Sequence, residues 1–76
     1  MSLLELPVEQ TATIDQITAG DDDALLRAMG LCEGQLVRVL RRAPFGGPLQ
    51  IRVGEVSFAI GRALASTVLV KVSTPG

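Results

Sequence analysis

Gln35-Leu-Val-Arg-Val-Leu-Arg-Arg42, Ala43-Pro-Phe-Gly-Gly-Pro48, Leu49-Gln-Ile-Arg-Val53, Gly54-Glu55 and Val56-Ser-Phe-Ala-Ile60 run consecutively and decide how this chain folds. Val37 and Val39 flank Arg38; Leu49, Ile51 and Val53 alternate with Gln50 and Arg52; Val56, Phe58 and Ile60 alternate with Ser57 and Ala59. A period of two places one set of side chains on each face of a strand. Leu36 and Leu40 share the Arg38 face, so both faces of the first strand are partly apolar. The prolines and glycines of residues 43–48 stop that strand. Gly54-Glu55 is a two-residue loop with glycine first, the type II′ hairpin pattern. Three strands in antiparallel succession are therefore expected.

Working outward, Thr11-Ala-Thr-Ile-Asp-Gln-Ile17 is rich in β-branched residues and reads as a strand. Ala12, Ile14 and Ile17 break strict alternation, which predicts a bend near Gln16. Met1 to Gln10 has no period and is interrupted by Pro7; it reads as a docked arm with Leu3, Leu4 and Leu6 available to pack. Gly20-Asp-Asp-Asp23 opens a short helix, expected from Asp22 to Met29, with an Asp side chain capping the first free N–H groups. Leu25, Ala28, Met29 and Cys32 fall at helical spacing on one apolar face, and Asp23 and Arg27 pair across one turn. Gly30 is the expected residue just past the helix end, where φ is positive, and Gly34 allows a tight entry to the next strand. Gly61 to Ser66 reads as one helical turn. Thr67 to Ser73 is the last strand, with Val68, Val70 and Val72 inward, and Thr74 to Gly76 is a loose end. Five short strands and one helix make a mainly β chain. Closure removes exposed edges, so the expected architecture is a small, partly closed, SH3-like antiparallel β-barrel of one domain over residues 1–76.

Composition narrows the function. At 76 residues, 47% hydrophobic, the chain can bury one small core and has little room for a deep catalytic cleft. One cysteine and no histidine exclude a disulfide framework and a thiolate–imidazole zinc cluster. No apolar run approaches the ~20 residues of a membrane span, and no secretory signal is visible; a cytoplasmic protein is expected. Nucleophilic catalysis needs a base beside a Ser, Thr or Cys, and no motif places one, so no enzyme activity is expected. Asp21, Asp22 and Asp23 lack the spaced ligands of a calcium loop and read as helix capping; no metal site and no cofactor are expected. Cys32 reads as packing at a helix end.

The net charge of −1 is divided unevenly. Residues 1–34 hold seven acids (Glu5, Glu9, Asp15, Asp21, Asp22, Asp23 and Glu33) against Arg27, while residues 35–76 hold six bases (Arg38, Arg41, Arg42, Arg52, Arg62 and Lys71) against Glu55. The halves carry −6 and +5. Either the surface is dipolar and orients a charged partner, or the halves neutralise each other. Between the strands, Arg41, Arg42, Pro44 and Phe45 stand on a loop stiffened by prolines, which reduces the ordering cost of binding, and Arg and Phe are residues that interfaces favour. The alternative is that Phe45 folds back over the barrel end and the arginines are merely solvated.

Met29-Gly30-Leu31-Cys32-Glu33-Gly34, then Val37-x-Val39, then Arg41-x-Ala43-Pro44-Phe45-Gly46-x-Pro48 resembles the FeoA family, small cytosolic proteins of bacterial ferrous-iron uptake. The similar stretch runs from about Thr11 to Val70. The same SH3-like module also forms the C-terminal domain of metal-dependent repressors resembling the diphtheria toxin repressor, but here no winged-helix region accompanies it. The chain departs from the family at Ala24 and Leu25, where an arginine pair is frequent, and at Gly47, where an acid is common. The hairpin glycine comes first, at Gly54, and Gly61 to Ala65 is nearly neutral. The features shared with the family include Gly30, Gly34, Gly46 and Pro48 as structural turn residues, while Gly54 is a turn residue by the hairpin pattern alone. The resemblance also implies a non-catalytic accessory protein that binds the cytosolic GTPase region of a FeoB-like membrane transporter and is peripheral to the membrane through that partner. Arg41, Arg42, Pro44 and Phe45, with Leu26, Leu31 and Cys32 on the helix side, are the expected contacts.

Two other readings compete: a small nucleic-acid-binding barrel, and a transition-metal-linked regulatory module. Nucleic acid is disfavoured by two aromatics, no Tyr or Trp, and an acidic pI near 5.1. A proline-rich peptide reader would need more aromatics than Phe45 and Phe58, the latter expected in the core. A monomer or a weak homodimer is expected, with Leu36 or Leu40 on an edge strand as a pairing surface.

Overall fold

Alternation along Leu36–Arg42 and Leu49–Val53 buries Val37, Val39, Leu49, Ile51 and Val53 on one side and leaves Arg38, Gln50 and Arg52 in solvent. A computed structural model describes residues 1–72 of the chain. The strands are β1 (Thr11–Ile17), β2 (Leu36–Arg42), β3 (Leu49–Val53), β4 (Val56–Ile60) and β5 (Val68–Val72), with helices α1 (Asp23–Ala28) and α2 (Arg62–Ala65). They form one five-stranded antiparallel sheet in the order β4-β3-β2-β1-β5. The sheet curls around Leu3, Leu6, Ala12, Ile14, Leu26, Leu31 and the inward residues of β2 to β5. Phe58 is half-buried against this core, and Val72 packs only at its edge, outside the fully buried Val68 and Val70. Ser73 and residues 74–76, read above as a strand end and a loose end, lie outside the described residues.

The expected bend in β1 is a bulge: its register against β5 shifts between Ile14 and Gln16, which re-aims the strand. At the β3–β4 loop Val53 pairs with Val56, and Gly54 has φ +61. Glu55 has no positive φ, so only the first central position is left-handed, as a type II′ turn requires.

The arm docks as anticipated. A 3-10 turn at Leu3–Glu5 drives Leu3 and Leu6 fully into the core. Met1 and Ser2 cover the outer edge of β5, through Val70 N–H donating to the Met1 carbonyl at 2.8 Å and a bridge from Ser2 to Leu69. Val8 and Glu9 reach β2 at Val39. β2 therefore lies inside the sheet, flanked by β1 and β3. Leu36, 55% exposed, and Leu40 belong to an interior strand rather than the edge expected above. The chain-terminal pairings, not the local pattern of β2, decide that.

The helix departs from its expected face. α1 has six residues, and it buries Leu26 while leaving Leu25 52% exposed and Ala28 in solvent. The reason is its length. Gly30 at φ +96 reverses the chain, with Leu31 N–H donating to the Leu26 carbonyl at 2.9 Å and Gly30 N–H to the Arg27 carbonyl at 3.0 Å. These are the two bonds of a Schellman ending, whose characteristic apolar partners are here Leu26 and Leu31. A face built on seven-residue spacing to Cys32 cannot exist across that reversal. Nor does an Asp side chain cap the helix. A 3-10 turn at Gly20–Asp22 precedes it, so Asp22 has φ −88 and ψ 1 rather than the extended backbone a capping side chain needs.

Candidate functional site

A bulge in β2 builds the Arg41–Pro48 surface. Val39 faces Ile51, yet Arg41 faces Gln50 and Arg42 faces Leu49, so the register shifts by one around Leu40. Without that shift the alternation Val37, Val39, Arg41 would aim Arg41 into the core. With it, Arg41 joins the outer face and Arg42 turns to the Leu49 side. There Arg42 is half-buried, and its guanidinium donates to the Leu6 carbonyl of the arm.

The loop itself is closed at both levels. Ala43 N–H donates to the Pro48 carbonyl at 3.1 Å, and Gly47 N–H to the Pro44 carbonyl at 3.2 Å. Phe45 and Gly46 occupy the centre of the inner turn at φ +59 and +75, so both central residues are left-handed, the type I′ signature. A phenylalanine rarely adopts that conformation. Its ring contacts almost nothing: Phe45 is 104% exposed. It does not fold back over the barrel end. A groove of 310 Å³ lies beside it, lined by Arg41, Ala43, Pro44, Pro48, Gln50 and Ala59. Arg62 lies against the loop, its Cδ 3.8 Å from where a Cβ on Gly46 would stand.

Two features here, involving three residues, were missed in the sequence. Gly47 is required by close approach, because a Cβ there would stand 2.7 Å from the Ala43 Cβ and 3.3 Å from the Pro44 carbonyl oxygen. Ala59 and Arg62 reach the loop from β4 and α2 respectively, more than ten residues along the chain. Only the glycine and proline density hinted at the first, and no local signal marked the second.

The helix side is different. Leu26 and Leu31, expected as contacts, are both fully buried; their aliphatic surface is spent on the core and offers nothing to a partner. Cys32 is half-buried, with its Sγ 3.8 Å from the Gly30 carbonyl. Gly34 and Gly54, like Gly30 and Gly46, have positive φ.

The charge split resolves in part by neutralisation. Arg38 pairs with Glu9, and Lys71 with Asp15 at 3.3 Å, both joining the basic half to the acidic one. Arg27 bridges Asp23 at 2.8 Å and Glu33 at 2.9 Å. The guanidinium hydrogen bonds of Arg27, helped by the residue's own backbone, hold the Glu33 carboxyl below the usual carboxylate range, and both acids raise Arg27 in turn. Arg41, Arg52 and Arg62 have no carboxylate partner among the described residues. Two of the three border the Phe45 loop. A second groove, of 190 Å³, lies on the sheet between Leu36, Arg38 and Arg52. The described residues hold no group of three or more metal-ligating side chains, and no helix among them is long and apolar enough to cross a membrane.

A curled five-stranded antiparallel sheet closed by a short helical turn, with a rigid arginine–aromatic loop on its rim, defines a small SH3-like β-barrel protein. Residues 1–72 match the FeoA domain, and the chain belongs to the FeoA family. Among solved structures it is similar to an iron uptake regulatory protein, FeoA, at 35% identity, covering 93% of both chains with a TM-score of 0.83. It is similar also to Stenotrophomonas maltophilia FeoA, solved in complex with zinc and described as a prokaryotic SH3 domain protein possibly acting as a ferrous iron transport activating factor. That match has 33% identity, covers 93% of this chain and 89% of the other, and has a TM-score of 0.78. A manganese-dependent transcriptional repressor shares the fold alone, at 20% identity over 96% of this chain and 41% of that one, with a TM-score of 0.87. No curated protein matches the sequence.

Proposed function

We propose that this chain is a non-catalytic accessory protein of ferrous-iron uptake, acting in the cytoplasm as a single FeoA-like domain that docks on the cytosolic part of a FeoB-like transporter. Family membership supports the pathway, and the S. maltophilia relative, described as a possible transport activating factor, supports the accessory role. One observation carries the docking surface: Phe45 is held fully exposed in a left-handed turn. Such a residue adds nothing to the fold, and exposed aromatics with neighbouring arginines are the anchors of protein interfaces.

In this reading Phe45 enters an apolar pocket of the partner, and Arg41 faces partner carboxylates. Pro44 and Pro48 limit the loop's freedom before binding. Arg42 ties the loop to the arm through the Leu6 carbonyl. Cys32 stays on the helix side as a secondary contact. Docking alters transport only through unequal affinity for two states of the transporter. The test is a titration against the purified cytosolic GTPase domain and the intact transporter, with and without guanine nucleotide. The Arg41→Glu/Phe45→Ala double variant, confirmed folded, is the control. Saturable binding lost in the variant is the expected result. Binding retained by the variant removes the loop from the mechanism, and no binding to either form removes the transporter.

A further inference from the structure

The sheet has two edges, and the described residues cover only one of them. Met1 and Ser2 lie along β5, while nothing among the described residues pairs with the outer side of β4. The two-residue loop fixes which backbone groups face outward. Val53 and Val56 flank it and form a hydrogen-bonded pair, as do Ile51–Phe58 and Leu49–Ile60 by alternation. The N–H and C=O groups of Ser57 and Ala59 therefore point away from β3, and no turn or loop bond among the described residues reaches them. The strand also lacks the usual edge defences. Its ladder with β3 runs from Val53–Val56 to Leu49–Ile60 without a bulge, and Val56–Ile60 contains no proline and no charge. Val56 is 57% exposed, and Phe58 is only half-buried on the same face.

We infer that β4 pairs antiparallel with β4 of a second copy of this chain, about a two-fold axis at Phe58. That register sets Ser57 opposite Ala59 of the second copy, so each such pair exchanges both of its free backbone bonds. Phe58 meets Phe58 of the second copy as a non-hydrogen-bonded pair, where side chains lie closest. Val56 meets Ile60 of the second copy and is covered. The charges agree with the same register. Glu55 falls opposite Gly61 of the second copy, next to its Arg62. Among the described residues of a single chain, Glu55 and Arg62 are each without an ion-pair partner, and the two-fold axis gives both copies the match. No other alignment about Phe58 is isologous. The groove bordered by Ala59 and the Arg41–Pro48 loop opens beside this seam, so pairing brings the two loops onto one continuous sheet.

An interface of one five-residue strand per copy lies far below the ~1,200 Å² of a stable complex, so the association is weak, with a Kd of about 0.1–1 mM. Sedimentation equilibrium of the full chain tests it. The average mass should rise from 8.0 kDa toward twice that value as concentration is raised to about 1 mM. Ala59→Pro removes an outward N–H without touching the β3 ladder and should hold the chain at the monomer mass. Glu55→Arg and Arg62→Glu should each weaken association, and the combined reversal should restore it. Isotope-filtered NMR on mixed labelled and unlabelled chains should show Phe58–Phe58 contacts between copies. A monomer at every concentration overturns the inference, as does association that survives in a folded Ala59→Pro chain. Charge reversals without effect overturn the register.

Discussion

Phe45→Gly should stabilise this protein while weakening its binding. Phe45 sits at φ +59 with its side chain 104% exposed. Truncation therefore forfeits no buried area in the folded state, and only the backbone term remains. A residue with a Cβ in the left-handed region loses about 1–2 kcal/mol relative to glycine. Glycine gives back about 0.5–1 kcal/mol through its freer unfolded chain. The balance favours the variant by about 0.5–1 kcal/mol, which for a domain of this size raises Tm by about 3–6 °C. Phe45→Asn tolerates the same backbone without glycine's extra entropy and should shift in the same direction. Loss of an anchoring aromatic weakens an interface by about 2 kcal/mol or more, roughly 30-fold in Kd. Thermal unfolding followed by circular dichroism, run beside the transporter titration, reads both effects. A lower Tm in both variants would mean that the ring packs on the fold, and the argument from its exposure would collapse.

Other perturbations separate fold from surface. Leu26→Ala should lose about 2–5 kcal/mol in urea unfolding, the usual loss for a fully buried leucine, with transporter affinity of the folded fraction unchanged; loss of affinity alone would put Leu26 on the surface. Gly47→Ala should lose about 1–3 kcal/mol, because its Cβ would overlap the Ala43 Cβ at 2.7 Å, and an unchanged urea midpoint would contradict that geometry. Glu33 titrates below the ordinary carboxylate range because Arg27 hydrogen-bonds it. Its contribution to stability is present above the unfolded-state pKa and is lost as pH falls through the lower folded value. Arg27→Met should move the Glu33 titration, followed by carboxyl NMR, upward toward the ordinary range, with the residue's own backbone bond retained, and flatten that part of the acid unfolding profile.

Much of this barrel was legible in its residues, because the signals involved are short-ranged. The period of two along Val37–Val39, Leu49–Val53 and Val56–Ile60 needs only next-but-one neighbours. The Gly54-Glu55 hairpin and the Gly30 helix ending need one residue able to take positive φ. The broken alternation near Gln16 marked a real bulge. The Arg41–Pro48 segment was legible as a loop, from its prolines, glycines, arginines and lone aromatic. The helix face was not. Apolar residues at Leu25, Ala28, Met29 and Cys32 satisfied a helical period, yet α1 ends at Ala28, before that period can be used, and the chain reversal chooses Leu26 and Leu31 for the core instead.

By itself, then, the sequence determined the strands, the turns, the one-core class and the family. Those features depend on contacts within a few residues and on the chain's capacity for burial. Tertiary structure alone decided which strands lie at the edge, since that depends on β1 meeting β5 across some sixty residues, Ala12 with Val72. It also decided the aim of Arg41 and Arg42, through a bulge whose position is set by pairing with β3, and the exposure of Phe45, through loop bonds that close Ala43 on Pro48. In each case the deciding energy comes from groups far apart in the chain, and no local pattern records which of them will meet.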